Sequence, residues 1–268
     1  MRRIGILANP KLRDVDKLAK ELLTALGGKA QVVLETGLGK KLGTKGRDLE
    51  DMDIDVLVTL GGDGTILYAL QRCNHVIAGI NAGQLGFLTE IPRDCIAESA
   101  ARIAKGQYTV EERMRLRVMR NEERLPDCLN EAVLHTSHVS KMHHFDVLVD
   151  GKPALNVRAD GLIVATPTGS TSYAMSVGGP IIDPRVKAFV LAPIAPFNLA
   201  IRPLVIPADS TVEVRHADRK SCMMVLDGQE QIQVKPEDVL RLSRSENPAR
   251  FALFQGDFYG KAWKKLRM

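Results

Sequence analysis

The residues with most chemical potential stand together at Gly61-Gly62-Asp63-Gly64-Thr65. Three glycines let a backbone approach a polyphosphate closely, and the amides at the start of a following helix offer donors and a positive dipole end to an anion. A carboxylate among phosphate-binding amides is electrostatically odd unless it takes a proton from an attacking hydroxyl or helps hold a magnesium ion. The pattern therefore suits a phosphate-binding site, with Gly61, Gly62, Gly64 and Thr65 at the phosphates and Asp63 either accepting a proton or helping to hold a magnesium ion. The plainer alternative is a tight turn in which Asp63 caps a helix.

Two more groups could handle a nucleotide. Asn130-Glu131 pairs an amide with a carboxylate, a combination that can donate to and accept from a ribose diol. The run from Thr166 to Ser172 holds several small hydroxyl residues and is followed by Tyr173, offering donors and one flat surface; alternatively it is an ordinary Ser/Thr-rich loop. His135, His138, His143 and His144 cluster in sequence but match no metal-binding spacing, and as a strand they would face opposite ways. They read as exposed hairpin residues, and no metal ligand is assigned.

These residues need elements to position them. Over the first hundred residues, β-rich runs at 4–8, 31–34, 56–60 and 76–80 alternate with helical patterns, including Leu18, Leu22, Leu23 and Leu26 between Asp14 and Gly27-Gly28. This predicts a doubly wound, Rossmann-like α/β domain, with the glycine loop at the carboxyl edge of its sheet just before a helix over 66–71. A further helix is expected around 97–105. The basic, glycine-rich stretch at 37–47 lacks phosphate-loop spacing and reads as a mobile surface loop.

Beyond that point the pattern changes to short extended runs at 115–119, 132–136, 145–149, 162–165, 212–215, 223–226 and 239–242. Turn signals Asp150-Gly151 and Asp227-Gly228 fall between them. A second, all-β, sandwich-like domain follows, so the expected organisation is residues 1–105 as the α/β domain, 106–245 as the all-β domain, and 246–268 as a segment packing back on the first. The active site is expected in the cleft between the two domains.

Composition narrows the functional classes. With 268 residues and 45% hydrophobic content, the chain can bury a real core. No apolar stretch has the length of a membrane span, and the first ten residues are too short for a signal sequence, so a cytoplasmic protein is expected. Aromatic content of 4% speaks against base-stacking on nucleic acid. The net charge of +5 suits an anionic small molecule or simple solubility. Cys73, Cys95, Cys128 and Cys222 are far apart and read as small apolar residues, with no disulfide or zinc expected.

Gly-Gly-Asp-Gly-Thr is shared by NAD kinases and diacylglycerol-type lipid kinases, and a related loop occurs in phosphofructokinases. Further along lie Gly79-Ile80-Asn81-Ala82-Gly83-Gln84-Leu85-Gly86-Phe87-Leu88, Leu129-Asn130-Glu131, Ala159-Asp160-Gly161, the run Thr166 to Ser176, Gly178-Gly179-Pro180, Pro193-Ile194-Ala195-Pro196, Arg202-Pro203-Leu204-Val205 and Asp227-Gly228-Gln229. In this order the chain resembles the NAD kinase family over most of its length.

The resemblance implies that ATP, or another donor such as polyphosphate, phosphorylates the 2′-hydroxyl of the adenosine ribose of NAD in the presence of Mg²⁺. Asp63 would be the general base, and Asn130 and Glu131 would bind NAD. Asp160, Thr171, Ser172, Tyr173, Ala174, Met175, Ser176 and Ala195 would surround the dinucleotide. Gly64, Lys141, Arg158, Asp227 and Gln229 would add contacts, and Phe87 would lie near the adenine. Asp227-Gly228 is equally a good type I′ turn.

Many relatives carry a basic residue where this chain has Tyr68, which leaves part of the phosphate-facing charge to come from elsewhere. A homodimer or homotetramer is implied, with no nucleic-acid or membrane partner. Two other readings stay open: a lipid or sugar kinase on the same loop, and a non-catalytic NADP-binding sensor.

Overall fold

The computed structural model describes residues 1–83, 86–138, 141–216, 221–254 and 258–266. Gln84 and Leu85, in the run from Gly79 to Leu88, lie outside them. The chain divides into two compact units, residues 1–112 with 249–268, and residues 113–248.

The first unit begins with β1 (Arg2–Ala8), α1 (Val15–Leu26), β2 (Ala30–Leu34) and α2 (Thr36–Lys41). It continues through β3 (Val56–Gly61), α3 (Asp63–Leu70), β4 (Val76–Asn81), α4 (Ile96–Lys105) and β5 (Thr109–Arg113). Every residue of β3 is buried, as a central parallel strand covered on both faces requires. Helix α1 turns Leu18, Ala19, Leu22 and Leu26 into the core against Ile4, Ile6, Val56 and Val58. Each such side chain taken fully out of water stabilises by about 1.5–3 kcal/mol.

Residues 36–41 correct the reading of that stretch as a loop. The Glu35 carboxylate accepts from the Gly37 and Leu38 amides and so caps α2, while Leu38 is 3% exposed and joins the core. A cap and one buried leucine outweigh the poor helix propensity of two glycines.

The second unit contains β6 (Leu116–Arg120), β7 (Glu123–Arg124), β8 (Glu131–Thr136), β9 (His143–Val149), β10 (Lys152–Ala159) and β11 (Gly161–Ala165). It goes on to α5 (Tyr173–Ser176), β12 (Ala188–Ile194), β13 (Leu204–Pro207), β14 (Val212–His216), β15 (Cys222–Leu226), β16 (Glu230–Val234) and β17 (Leu240–Arg244). Two six-stranded sheets result, in the orders β10-β9-β14-β17-β6-β7 and β13-β12-β11-β8-β15-β16.

Their facing side chains, among them Leu134, Phe145, Leu162, Phe189, Val214 and Leu240, form one core, as in a sandwich. Strands β11 and β12 are buried on both faces, because Ala174 and Ile182 cover Ile163, Val190 and Ala192 on the other side. That cover fixes the segment carrying Thr171 to Ser176.

Two last elements, β18 (Ala249–Leu253) and α6 (Phe258–Leu266), return to the first unit. Strand β18 pairs in parallel with β4, Arg250 opposite Val76, and lies between β4 and β5 in the order β2-β1-β3-β4-β18-β5. The architecture is thus an α/β unit with a parallel sheet, an antiparallel β unit, and a tail that rejoins the former.

The histidine reading needs one correction. His143 is 2% exposed and packs beside Phe145 and His216, because in β9 it points to the sandwich interior. His138 and His144 are exposed and His135 is half-buried, its Nδ1 against the Thr136 carbonyl. Among the described residues no three His, Cys, Asp or Glu side chains converge on a metal position.

Candidate active site

Strand β3 delivers Gly61 and Gly62 at its carboxyl end, and α3 begins at once with Asp63, a turn earlier than the sequence pattern predicts. The carboxylate does not cap its own helix. It reaches the loop after β4, where the Phe87 amide donates to Oδ2 at 2.8 Å and the Leu88 and Thr89 amides donate to Oδ1 at 3.1 and 3.2 Å. Glycine at position 86 makes this possible, since a Cβ there would sit 1.9 Å from Asp63 Oδ1. Asp63 is half-buried, so its carboxylate is held firmly and is still partly accessible.

Gly64 is exposed beside it, and Thr65 is buried with its amide bonded to the Gly62 carbonyl. The α3 amides before the first helical hydrogen bond are open to an anion by construction. Next along α3, the Tyr68 ring carries the Arg72 guanidinium 3.9 Å above it, so a cation occupies that surface even though position 68 is neutral. From α6, Lys265 Nζ lies 4.4 Å from the centre of the Phe87 ring, and Lys261 Nζ donates to the Phe87 carbonyl at 3.4 Å.

In the second unit, Asn130 precedes β8 and Glu131 opens it, at 8% and 6% exposed. Ser172 Oγ donates to Glu131 Oε1 at 2.9 Å, while Oε2 is buried without a partner. Burial pushes the Glu131 carboxyl up to about 8; the Ser172 bond opposes this and the nearby Asp227 charge adds to it. Burial thus favours the protonated form, which can donate as well as accept.

Asp227 sits in the turn between β15 and β16 with φ of +50°, followed by Gly228 at +66°, and the Gln229 amide bonds the Leu226 carbonyl at 2.9 Å. That is type I′ turn geometry. Its carboxylate accepts from the amides of Leu129, Asn130 and Glu131 at 2.6, 2.8 and 3.0 Å. Burial lifts the group to about 6, against the pull of those amides and of Arg115.

The hydroxyl run is more inward than its sequence suggests. Thr166 Oγ1 bonds the Leu129 carbonyl, Ser170 Oγ the Pro167 carbonyl, and Thr171 Oγ1 the Thr168 carbonyl. These side chains shape the loop, because a buried hydroxyl must find a partner and backbone carbonyls are nearest. Gly169 is needed there, as a Cβ would meet the Asn130 carbonyl oxygen at 2.2 Å.

Of the remaining expected contacts, Tyr173 and Ser176 are exposed, Thr171, Ser172 and Met175 half-buried, and Ala174 fully buried. Ala195 is exposed with φ of +44°, a costly backbone for alanine. Asp160 is half-buried between β10 and β11, and its backbone links to Thr136 and Ile194. Arg158 is exposed with its guanidinium over the Phe197 ring at 5.3 Å. Lys141 is exposed and Gln229 half-buried. Sequence reasoning missed the Arg72–Tyr68 stack and the contacts of Lys261 and Lys265, although a basic residue one helical turn after Tyr68 was a readable signal.

A glycine turn with a firmly held carboxylate at the carboxyl edge of a parallel sheet, and in the second unit a buried amide–acid pair with one unpartnered oxygen, suit a nucleotide-dependent phosphotransferase. Comparisons with known proteins specify it. Residues 4–108 match the ATP-NAD kinase N-terminal domain, and residues 129–254 match the ATP-NAD kinase C-terminal domain. The NAD kinase of Thermoplasma acidophilum is 39% identical over 251 residues, covering 93% of this chain and 92% of its own. That of Methanothermobacter thermautotrophicus is 39% identical over 274 residues, covering 99% and 96%.

Among solved structures, an NAD kinase from Archaeoglobus fulgidus in complex with ATP superposes with a TM-score of 0.80 at 30% identity, covering 99% of this chain and 98% of its own. Yeast NADH kinase complexed with NADH has the same fold, with a TM-score of 0.90 at 21% identity, covering 100% and 87%. The chain belongs to the NAD kinase family.

Proposed function

We propose that this enzyme transfers the γ-phosphoryl group of ATP to the 2′-hydroxyl of the adenosine ribose of NAD, giving NADP and ADP, with Asp63 as general base. The ribose oxygen attacks the γ-phosphorus, the bond to the β,γ-bridging oxygen breaks, and the hydroxyl proton passes to the Asp63 carboxylate. A loose transition state leaves the protein little covalent work, so fixed positioning supplies most of the acceleration. The observation that carries the reading is the grip of three amides on Asp63, which aims one carboxylate beside a phosphate-binding turn.

Asn130 and Glu131 hold NAD in this reading, the unpartnered Oε2 of Glu131 waiting for a sugar hydroxyl. The segment Thr171 to Ser176, with Asp160, Arg158, Lys141, Ala195 and Gln229, lines the dinucleotide, and Phe87 meets the adenine. Gly61, Gly62, Gly64 and Thr65 take the donor phosphates. ATP is favoured as donor by the ATP complex of the Archaeoglobus relative; polyphosphate remains the alternative.

Magnesium prefers water, phosphate oxygens and one or two carboxylates to an all-protein cage. The ion, when bound, neutralises charge on the donor phosphates, and Asp63 is the carboxylate nearest the loop that would face them.

A cytoplasmic homo-oligomer completes the proposal, supported by the exposed apolar Phe197, Leu199 and Val205 around β12 and β13. The decisive experiment is Asp63→Asn, assayed for NADP formed from NAD, ATP and Mg²⁺. The expected result is a kcat lower by about 10²- to 10⁴-fold with NAD binding retained. Full activity in that folded variant excludes the assigned role.

A further inference from the structure

We infer that Asp227 is a positioning residue for the dinucleotide site, acting through the backbone of Asn130 and Glu131 rather than by touching NAD. The inference rests on the reading that these two residues bind NAD.

The geometry is specific. Three consecutive amides at the mouth of β8 converge on one carboxylate, and the Asp227 amide donates back to the Glu131 carbonyl at 3.0 Å. Successive amides turned to one side make an anion-binding concavity; here the chain fills it with its own acid. The carbonyl side of the same peptides is fixed as well, by Thr166 Oγ1 at Leu129 and by the Thr166 amide at Asn130, 2.8 Å away. Residues 129–131 are therefore clamped on both edges, which fixes the backbone from which the side chains of Asn130 and Glu131 project.

A mere turn would not need this acid. Asn or Gly suits a left-handed first position in a type I′ turn at least as well and brings no charge. Asp227 is instead 3% exposed beside a second buried acid, Glu131, with Cys128, Asp127 and the cation Arg115 in the same neighbourhood. The unpartnered Oε2 of Glu131 is the independent sign that what the clamp aims at is a ligand.

The test begins with Glu131→Gln, which checks the underlying reading. NAD affinity unchanged in that variant, measured by calorimetry without turnover, overturns the assignment of Asn130 and Glu131 and this inference with it. With that weakening established, Asp227→Asn is measured. It keeps the shape but sets an amide N–H against the Leu129 N–H.

The inference expects NAD affinity about 10- to 100-fold lower and kcat within about 3-fold of the parent, because ground state and transition state lose the same orienting contacts. It also expects the Glu131 inflection in the pH profile of kcat/KM to move to lower pH, since the Asp227 charge helps hold it up. A merely structural role would lower Tm and leave the affinity of the folded fraction in place; that outcome overturns the inference. If the asparagine variant does not fold, Asp227→Ser, which removes the charge in a smaller side chain, is read in the same way.

Discussion

Asp63 in the α/β unit and Asp227 in the β unit are built alike and used differently. Each carboxylate collects three consecutive backbone amides from a distant loop, residues 87–89 for Asp63 and 129–131 for Asp227. Each depends on a glycine in or beside the gripped or gripping segment. Yet Asp63 is half-buried at a helix start, whereas Asp227 is sealed at 3% exposure in a turn. The first stays partly open to solvent beside the glycine turn, and the second spends its carboxylate on the scaffold. The same device thus serves as reactant in one place and as jig in the other, and accessibility decides which.

The comparison breaks most visibly at Gly86. An alanine Cβ there collides with the Asp63 carboxylate, so Gly86→Ala should lower kcat about 100-fold or more with NAD affinity within about 3-fold, by steady-state kinetics and calorimetry. A kcat near the parent value would show that the grip on Asp63 is not needed. Next in size is Ser172→Ala, which removes the only hydroxyl seen bonding Glu131. NAD affinity should fall about 5- to 10-fold, and the Glu131 titration should move up, because that bond opposes the upward push.

A third effect is on stability. Asp227 and Glu131 are held at about 6 and about 8, above their ordinary 3.8 and 4.5, so the native state binds more protons than the unfolded one. Their contribution is fully present below pH 3.8 and is lost as pH rises through about 6 and then about 8. Melting of the ligand-free protein should therefore fall by about 5 °C or more between pH 5 and pH 9, and Glu131→Gln should flatten the upper part of that slope. Equal slopes would remove the buried acid from the account. The smallest effect should come from Lys265→Ala: loss of its contact with the Phe87 ring costs about 0.5–1 kcal/mol and lowers kcat less than about 3-fold.

Much of this was readable in the chain. The β-rich runs of the first hundred residues, the glycine turn at the end of β3 and the shift to short strands after α4 follow from periodicity and turn chemistry, which are local. The α2 helix was not, since its two glycines hide the Glu35 cap and the burial of Leu38. Nor was the inward turn of Thr166, Ser170 and Thr171, because a hydroxyl in sequence does not show which carbonyl it will meet. Least visible was the Asp227 clamp, whose partners lie 96 to 98 residues away. Its turn geometry was legible; the buried carboxylate was not.

The place of β18 has a consequence for how the chain is made. Because this strand sits between β4 and β5 but is encoded after the whole β unit, a ribosome emits five strands of that sheet and then withholds the sixth. At ordinary synthesis speed the intervening segment takes on the order of ten seconds, during which the outer side of β4 is a bare hydrogen-bonding edge. Nascent chains stalled in that window should be the ones most prone to stick to one another.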